Sequence, residues 1–144
     1  MTASTPAYDP SNIFMKILHA QMPCHKVYED AHSFAFMDIM PRSEGHTLVI
    51  PKTGSRNILD TDPDDLAHVI RTVQRIAQAA KRAFDADGVT VAQFSEPAGG
   101  QVIFHTHFHV LPRWDGVELG PTGHRGDDAQ IKANAERLQA ALQH

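Results

Sequence analysis

A run in which three histidines alternate with two other residues, His105-Thr106-His107-Phe108-His109, constrains the fold of this chain most. Successive side chains of a β-strand point to opposite faces with a period of two. Every second residue of the surrounding run is β-branched or aromatic, as is typical of strands: Val102, Phe104, Thr106, Phe108 and Val110. The pattern predicts one strand over residues 102–111, with these side chains on the core and the three imidazoles together on the other face.

The pattern of the other residues predicts an α+β domain. Ser11 is the expected N-cap of a short helix over residues 12–20. Asp62 and Pro63 are expected to begin a long amphipathic helix, with apolar residues three and four apart, that ends at Gly88. A last helix is expected to be capped by Asp127 or Asp128.

The alternation of side chains and the turn residues predict four more strands: 26–29, 33–39, 46–50 and 89–94. The predicted order is a helix, three strands, the long helix, two strands and a last helix. Short connections favour an antiparallel meander with the helices on one face.

The bulk properties predict a single domain over residues 11–144, after a disordered lead over residues 1–10. Residues 114–144 form its C-terminal loop and helix. The net charge of −4 argues against binding to nucleic acid, and no apolar run approaches the roughly 20 residues of a membrane span. With Cys24 as the single cysteine and no secretory signal, the expected location is cytoplasmic.

The histidines allow three interpretations: a metal site, a phosphate site with an attacking imidazole, or buried structural residues. The glycine-rich turn before the run favours phosphate, because its backbone amides can approach an anion. Asp38 can accept hydrogen bonds from a ribose diol, although a turn residue is the alternative. Four apolar residues can hold a base, with ordinary core positions as the alternative: Phe14, Ile17, Phe36 and Ile39.

The run with its two following hydrophobic residues, Val110 and Leu111, resembles the signature of the histidine triad (HIT) family. The resemblance extends over residues 11–115, through the segments 12–17, 28–30, 35–39 and 45–52 and through the flanking residues 100–101 and 111–113. It is closest to the small nucleotide-binding phosphoramidase branch. It implies a five-stranded antiparallel sheet with one long helix and short terminal helices, extended across a homodimer.

The resemblance also implies roles for individual residues. His107 is the nucleophile, His109 binds the phosphoryl oxygens, and His105 and His46 support the cluster. A carbonyl near His105 accepts the Nδ1–H of His107. The implied nucleotide contacts are Asp38 with the ribose, Phe14, Ile17, Phe36 and Ile39 with the base, and Ser95, Gly100, Gln101 and Val102 with the phosphate.

The sequence departs from the family pattern in three ways. Asn12 and Met15 stand where many bacterial relatives have cysteines that form a zinc site with the equivalents of His46 and His105. Asparagine and methionine are poor zinc ligands, so no metal and no other cofactor are predicted. Val102 replaces a serine or threonine, and Phe94-Ser95 replaces a stretch with a phosphate-binding asparagine, so slow turnover is expected.

The expected function is hydrolysis at the α-phosphate of a purine nucleoside phosphoramidate or a related nucleotide conjugate, through a nucleotidyl-histidine on His107. The first alternative is a dinucleoside polyphosphate hydrolase, an interpretation with which Arg113 is compatible. The second is a nucleotide-sensing or scaffold protein with little catalysis. The third is a metalloprotein that uses the same histidines.

Overall fold

The structure is a computed structural model that describes residues 6–143 of the chain. Its order of elements confirms the predicted order, with one additional 3-10 turn at Pro97–Gly99. The elements are α1 (Ile13–Leu18), β1 (Lys26–Glu29), β2 (Ser33–Met37), β3 (Thr47–Pro51), α2 (Pro63–Ala83), β4 (Gly88–Ala92), β5 (Phe108–Arg113) and α3 (Asp128–Leu142).

The five strands form one antiparallel sheet in the order β1-β2-β3-β5-β4, as predicted for the fold class. The expected simple meander is wrong, because β5 rather than β4 pairs with β3. The 21 residues of α2 span about 30 Å and carry the chain past the sheet. The chain then returns as β4 at the outer edge, and β5 fills the place beside β3.

The helix ends follow from local hydrogen bonds. The Asp62 carboxylate accepts from the backbone N–H of Asp64, which confirms the predicted start of α2. The predicted end at Gly88 is wrong, since α2 ends at Ala83. Asn12 rather than Ser11 caps α1: the Asn12 side chain accepts from Met15, whereas the Ser11 hydroxyl donates to Asp9. Asp127 caps α3.

The sheet is buried on both faces, so β2 and β3 are apolar or buried at every position. One core lies between the sheet and α2 with α3, and includes Val49, Ile76 and Leu138. A smaller core on the other face packs Phe14 of α1 against Phe36. The helices therefore do not share one face, because the apolar stripe of α1 covers the side of the sheet opposite to α2.

The histidine strand is shorter than predicted. β5 begins at Phe108, and residues 102–107 form an irregular segment rather than the first half of a strand. β3 ends at Pro51, and the N–H of Thr106 donates to Ser55 in the loop beyond it. Of the side chains expected in the core, Phe108 and Val110 are buried there, whereas Val102 is 83% exposed.

Two further segments differ from the sequence expectations. β4 ends at Ala92 rather than Phe94. Residues 6–10 of the expected disordered lead have a defined structure, because the side chain of Tyr8 is half-buried and hydrogen-bonded to His105. Residues 1–5 of that lead lie outside the described part of the chain. Within residues 6–143, no helix is both long enough and apolar enough to cross a membrane.

Two isoleucines of α2 test how the helix is held. Ile76 is completely buried, whereas Ile70 is 46% exposed although it lies on the apolar stripe of the sequence. We expect Ile76→Ala to lower the free energy of unfolding by about 2–5 kcal/mol, since it leaves a cavity. Ile70→Ala is the matched control and should change it by about 0.5 kcal/mol or less. Urea denaturation measures both, and equal losses would contradict this packing.

Candidate active site

Three polar residues at strand ends share one face of the sheet. His109 in β5 is paired with Leu48 in β3, and Leu48 is paired with Phe36 in β2. Because side chains alternate with a period of two, Asp38 after Phe36 and His46 before Leu48 lie on the same face as His109. The Nε2 atom of His46 is 2.9 Å from Nδ1 of His109 and 3.4 Å from the Asp38 carboxylate.

The other two histidines reach this face through the bend before β5. The Nδ1 atom of His107 is 2.7 Å from the carbonyl oxygen of His105, an interaction that a straight strand does not make. The ring centroids of His107 and His109 are 5.0 Å apart, and those of His46 and His109 are 5.1 Å apart. The structure thus brings the four histidines of the sequence prediction into one connected cluster.

The hydrogen-bond partners assign the position of the proton on each ring. His46 accepts the backbone N–H of Arg42 at Nδ1, so its own proton is on Nε2 and is donated to Nδ1 of His109. The proton of a neutral His109 is therefore on its Nε2. His107 donates its Nδ1–H to the His105 carbonyl, which leaves a lone pair on Nε2.

Burial keeps these rings neutral. Loss of water, with smaller contributions from the charges of Arg42 and His107, lowers the pKa of His46 to about 3. Burial likewise lowers the pKa of His109 to about 3 and that of His105 to about 4. The pKa of His107 is also lowered by burial, although its bond to His105 and the Asp38 charge act in the opposite direction. At neutral pH the cluster contains imidazoles rather than imidazolium ions.

The cluster does not fit a metal ion as it stands. Asp38, His46 and His109 have ligand atoms within 4.8 Å of one another. However, the His46 nitrogen that faces the other two carries the proton, and its second nitrogen accepts from Arg42. A metal needs that lone pair. The positions at which many bacterial relatives bind zinc do not provide an alternative, because the amide of Asn12 bonds to Tyr8 and both ring nitrogens of His105 are engaged.

Of the apolar residues predicted to hold a base, Phe14 is the one that the structure places against the histidines. Phe14 and Phe36 are almost completely buried, at 4% and 3% exposure, and their rings pack edge to face. The Phe14 ring also lies edge to face against His107, with centroids 5.0 Å apart. Ile17 packs against the same core, and Ile39 is half-buried at the end of β2. The partly exposed isoleucines offer more contact area to a ligand than the two phenylalanines.

The turn before the histidines differs from the sequence expectation. The backbone amides expected to bind phosphate are used within the turn: Gly99 and Gln101 donate to Glu96, and Gly100 donates to Pro97. The Gln101 side chain is buried and bonds to Asn57 and to backbone atoms, so it holds the loop rather than facing a ligand.

The other positions predicted to contact phosphate remain near the surface. Gly100 is exposed and has a left-handed φ of 95°, while Ser95 is half-buried and bonds to Gln93. Val102 is largely exposed.

Several residues that the sequence reasoning missed hold this region in place. Arg56 forms two hydrogen bonds with Glu96, at 2.8 and 3.0 Å, and its guanidinium lies 4.0 Å from the centroid of the Phe104 ring. Tyr8 bonds to His105 across 97 positions of the chain. No local spacing connects residues so far apart, so only the folded chain identifies these partners.

Comparison with known proteins shows the family of the chain. The family model described as "HIT domain" matches residues 19–116. A crystal structure of a Hit-like protein involved in cell-cycle regulation from Bartonella henselae is 50% identical, with a TM-score of 0.89 over 94% of this chain and 99% of that one. The chain belongs to the HIT family.

Two more relatives are informative. The structure of a hypothetical histidine triad nucleotide-binding protein from Sulfolobus tokodaii is 30% identical, with a TM-score of 0.82 over 89% of each chain. An adenylylsulfatase from Arabidopsis thaliana is 38% identical over 101 residues, which are 70% of this chain and 51% of that protein.

The neutral histidines predict a stability that depends on pH. The folded-state pKa values of His46, His105 and His109 lie below the ordinary 6.5. Their contribution is therefore complete above pH 6.5 and is lost as the pH falls toward 4, by up to about 1.4 kcal/mol per pH unit for each. Urea denaturation from pH 7.5 to 4.5 should show this fall.

The control for this measurement is His124→Gln, which changes an exposed histidine outside the cluster. It should keep the pH dependence of the wild type. A free energy of unfolding that stays constant between pH 6.5 and 5 would contradict the neutral assignment of the buried rings.

Proposed function

We propose that the protein binds purine nucleotides and hydrolyses a nucleoside phosphoramidate, or a related nucleotide conjugate, at the α-phosphate. The observation that carries this proposal is the 2.7 Å hydrogen bond from His107 Nδ1 to the His105 carbonyl. It fixes the tautomer in which Nε2 has a free lone pair, and an imidazole nitrogen of this kind is a nucleophile for phosphorus.

In the first step, Nε2 of His107 attacks the α-phosphorus as the bond to the leaving group breaks. A phosphorus–nitrogen bond forms, and the leaving amine takes a proton from the solvent as it departs. His109 has its proton on Nε2, because its Nδ1 accepts from His46. That Nε2–H is available to the charged phosphoryl oxygens, which stabilises the transition state.

In the second step, water attacks the nucleotidyl-histidine. The bond between phosphorus and His107 Nε2 breaks, the nucleoside monophosphate leaves with the oxygen of the water, and the water returns one proton to the solvent. The carbonyl of His105 continues to accept the Nδ1–H, so the ring regains the same tautomer. His107 is surrounded by buried groups and its pKa is lowered, which favours release of the neutral imidazole.

The nucleoside is placed by the neighbouring strand ends. One oxygen of Asp38 accepts from the backbone N–H of Met40 at 2.8 Å, which orients the carboxylate. Its second oxygen is 3.4 Å from His46, and we assign to it the ribose hydroxyls. Ile17 and Ile39 contact the base, with Phe14 and Phe36 beneath them. Gly100, Ser95 and Val102 border the phosphate, whereas the buried Gln101 acts on the loop.

The relatives support a nucleotide with a leaving group on its α-phosphate. The Sulfolobus tokodaii protein is described as nucleotide-binding. The Arabidopsis thaliana protein is named an adenylylsulfatase, and in adenylyl sulfate the leaving group is attached to the α-phosphate. The same attack on phosphorus serves both substrates, since only the departing group differs.

The test is hydrolysis of adenosine 5′-phosphoramidate in EDTA by the wild type and by His107→Ala. We expect the variant to lose about 10³-fold or more in kcat, because it lacks the nucleophile. Its affinity for adenosine monophosphate, measured by calorimetry, should stay close to that of the wild type. Single-turnover reactions with ³²P-labelled nucleotide should give a labelled wild-type protein and an unlabelled variant.

His124→Ala is the matched control, as it removes an exposed histidine outside the cluster. It should retain wild-type turnover. If the wild type binds the nucleotide but releases no product, catalysis is not its function and the sensing interpretation replaces it. Wild-type turnover by His107→Ala would remove this residue from the mechanism.

We also propose that the protein is a homodimer joined at β4. β4 is an edge strand of the sheet, and an edge strand presents unpaired backbone groups to another chain. Two exposed apolar side chains lie on this strand or just after it, Val91 at 44% and Phe94 at 37% exposure. Leu59, at 70% exposure, follows Ile58, whose backbone N–H donates to Gln93 beside the strand. Such side chains favour a protein interface over open solvent.

The oligomeric state tests the dimer directly. Sedimentation of the wild type should give twice the 15.9 kDa mass of one chain. We expect Val91→Lys to shift the equilibrium toward the monomer, because it places a charge in the joined region. Val117→Lys is the control at an exposed valine of the C-terminal loop. A wild type that sediments as a monomer at micromolar concentration would refute the dimer.

A further inference from the structure

Tyr8 connects the N-terminal segment to the first histidine of the run. Its hydroxyl oxygen is 2.7 Å from Nδ1 of His105, and the side-chain amide of Asn12 donates to the same oxygen at 2.9 Å. His105 is completely buried, so this tyrosine is a hydrogen-bond partner that water cannot replace without a rearrangement.

The donor and the acceptor can be assigned for each hydrogen bond that joins Pro51, His105 and Tyr8. Nε2 of His105 lies 2.9 Å from the Pro51 carbonyl, which can only accept, so the ring proton is on Nε2. Burial lowers the pKa of His105 to about 4, so its Nδ1 is an acceptor at neutral pH. The Tyr8 hydroxyl must then donate to it. Burial also raises the pKa of the Tyr8 hydroxyl, which keeps that proton in place.

The same residue that caps α1 orients the tyrosine. The Asn12 carbonyl oxygen accepts from the backbone N–H of Met15, and this bond fixes which end of the amide faces Tyr8. The amide nitrogen also donates to the backbone oxygen of Asp9. These hydrogen bonds from Asn12 to Tyr8 and Asp9 hold the segment in place at the start of α1.

The structure leaves room for the tyrosine ring at Gly54. A Cβ atom on Gly54 would lie 2.3 Å from a carbon of the Tyr8 ring, which is closer than atoms can approach. The φ angle of Gly54 is not in the left-handed region, so the backbone conformation does not require glycine there. The absence of a side chain provides the space for the ring.

We propose that Tyr8 is a positioning residue for His107, acting through His105. With both ring nitrogens bonded, His105 has one orientation and one tautomer. Its carbonyl oxygen is the acceptor that holds His107 Nδ1–H and directs the free lone pair of Nε2. The inference rests on the proposed function for its kinetic part, whereas its effect on the histidine rings is independent of any substrate.

Tyr8→Phe tests the proposal because it removes the hydroxyl and keeps the ring beside Gly54. We expect kcat for the phosphoramidate to fall about tenfold, the size of one lost hydrogen bond, with the affinity for adenosine monophosphate unchanged. Tyr28→Phe is the matched control, since the Tyr28 hydroxyl bonds to Asp30 and Arg75 instead. It should keep wild-type turnover.

A second variant moves the ring without removing the hydroxyl. Gly54→Ala places a methyl group against the Tyr8 ring and should lower kcat by a similar factor. Because both changes break the same hydrogen bond, the double variant should be little worse than either single one. Independent, multiplying losses would refute a shared role.

Nitrogen-15 NMR of the histidine rings gives a readout that needs no turnover. In the wild type, His105 should show a protonated Nε2 and an unprotonated Nδ1, and Tyr8→Phe should shift the ring nitrogens of both His105 and His107. Unchanged spectra, or shifted spectra with wild-type kcat, would overturn the proposal. If the wild type itself lacks phosphoramidase activity, the proposed function fails, and a shift at His107 still supports the role of Tyr8.

Discussion

The hydrogen bond from His107 Nδ1 to the carbonyl oxygen of His105 sets the arrangement of the surrounding groups. It joins two residues that are only two positions apart, so the backbone must bend away from the extended strand. That bend is the reason why β5 begins at Phe108 and why the preceding segment needs support from other parts of the chain. The bond also selects the tautomer on which the proposed chemistry depends.

The supports of the bent segment come from residues distant in the sequence. Thr106 bonds to the hydroxyl and backbone of Ser55, and His105 bonds to Pro51 and Tyr8. On the other side of the loop, Arg56 and Asn57 bind the carboxylate of Glu96. These bonds satisfy buried polar groups, and the site is consequently held by a network rather than by a regular strand.

The burial of the histidines away from water has a chemical consequence. The rings are close together, and burial lowers the pKa of each of the four. The hydrogen bonds of the neutral rings all run in one direction: the backbone N–H of Arg42 donates to His46, and His46 donates to His109. The same protonation pattern explains why His46 and His109, although histidine is a common metal ligand, do not offer free ring lone pairs to a metal.

Much of the fold and the identity of the four histidines followed from the sequence, because they depend on local patterns. The spacing of apolar residues located the long helix, and Asp62 with Pro63 located its start. Periodicity failed at residues 102–107, where side-chain bonds to the backbone outweigh strand pairing. The interpretation of the glycine-rich turn as an anion site placed Gln101 at the ligand, whereas the buried side-chain amide of Gln101 holds the loop.

The sequence by itself determined the order of elements, the antiparallel sheet and the set of histidines, since each is a property of neighbouring residues. Only the tertiary structure decided the strand order, the position of α1 on the second face and the partners of each imidazole. The physical reason is that a buried polar group must find a hydrogen bond wherever the fold supplies one. Tyr8 and Gly54, far from the histidines in sequence, are partners that packing alone brings together.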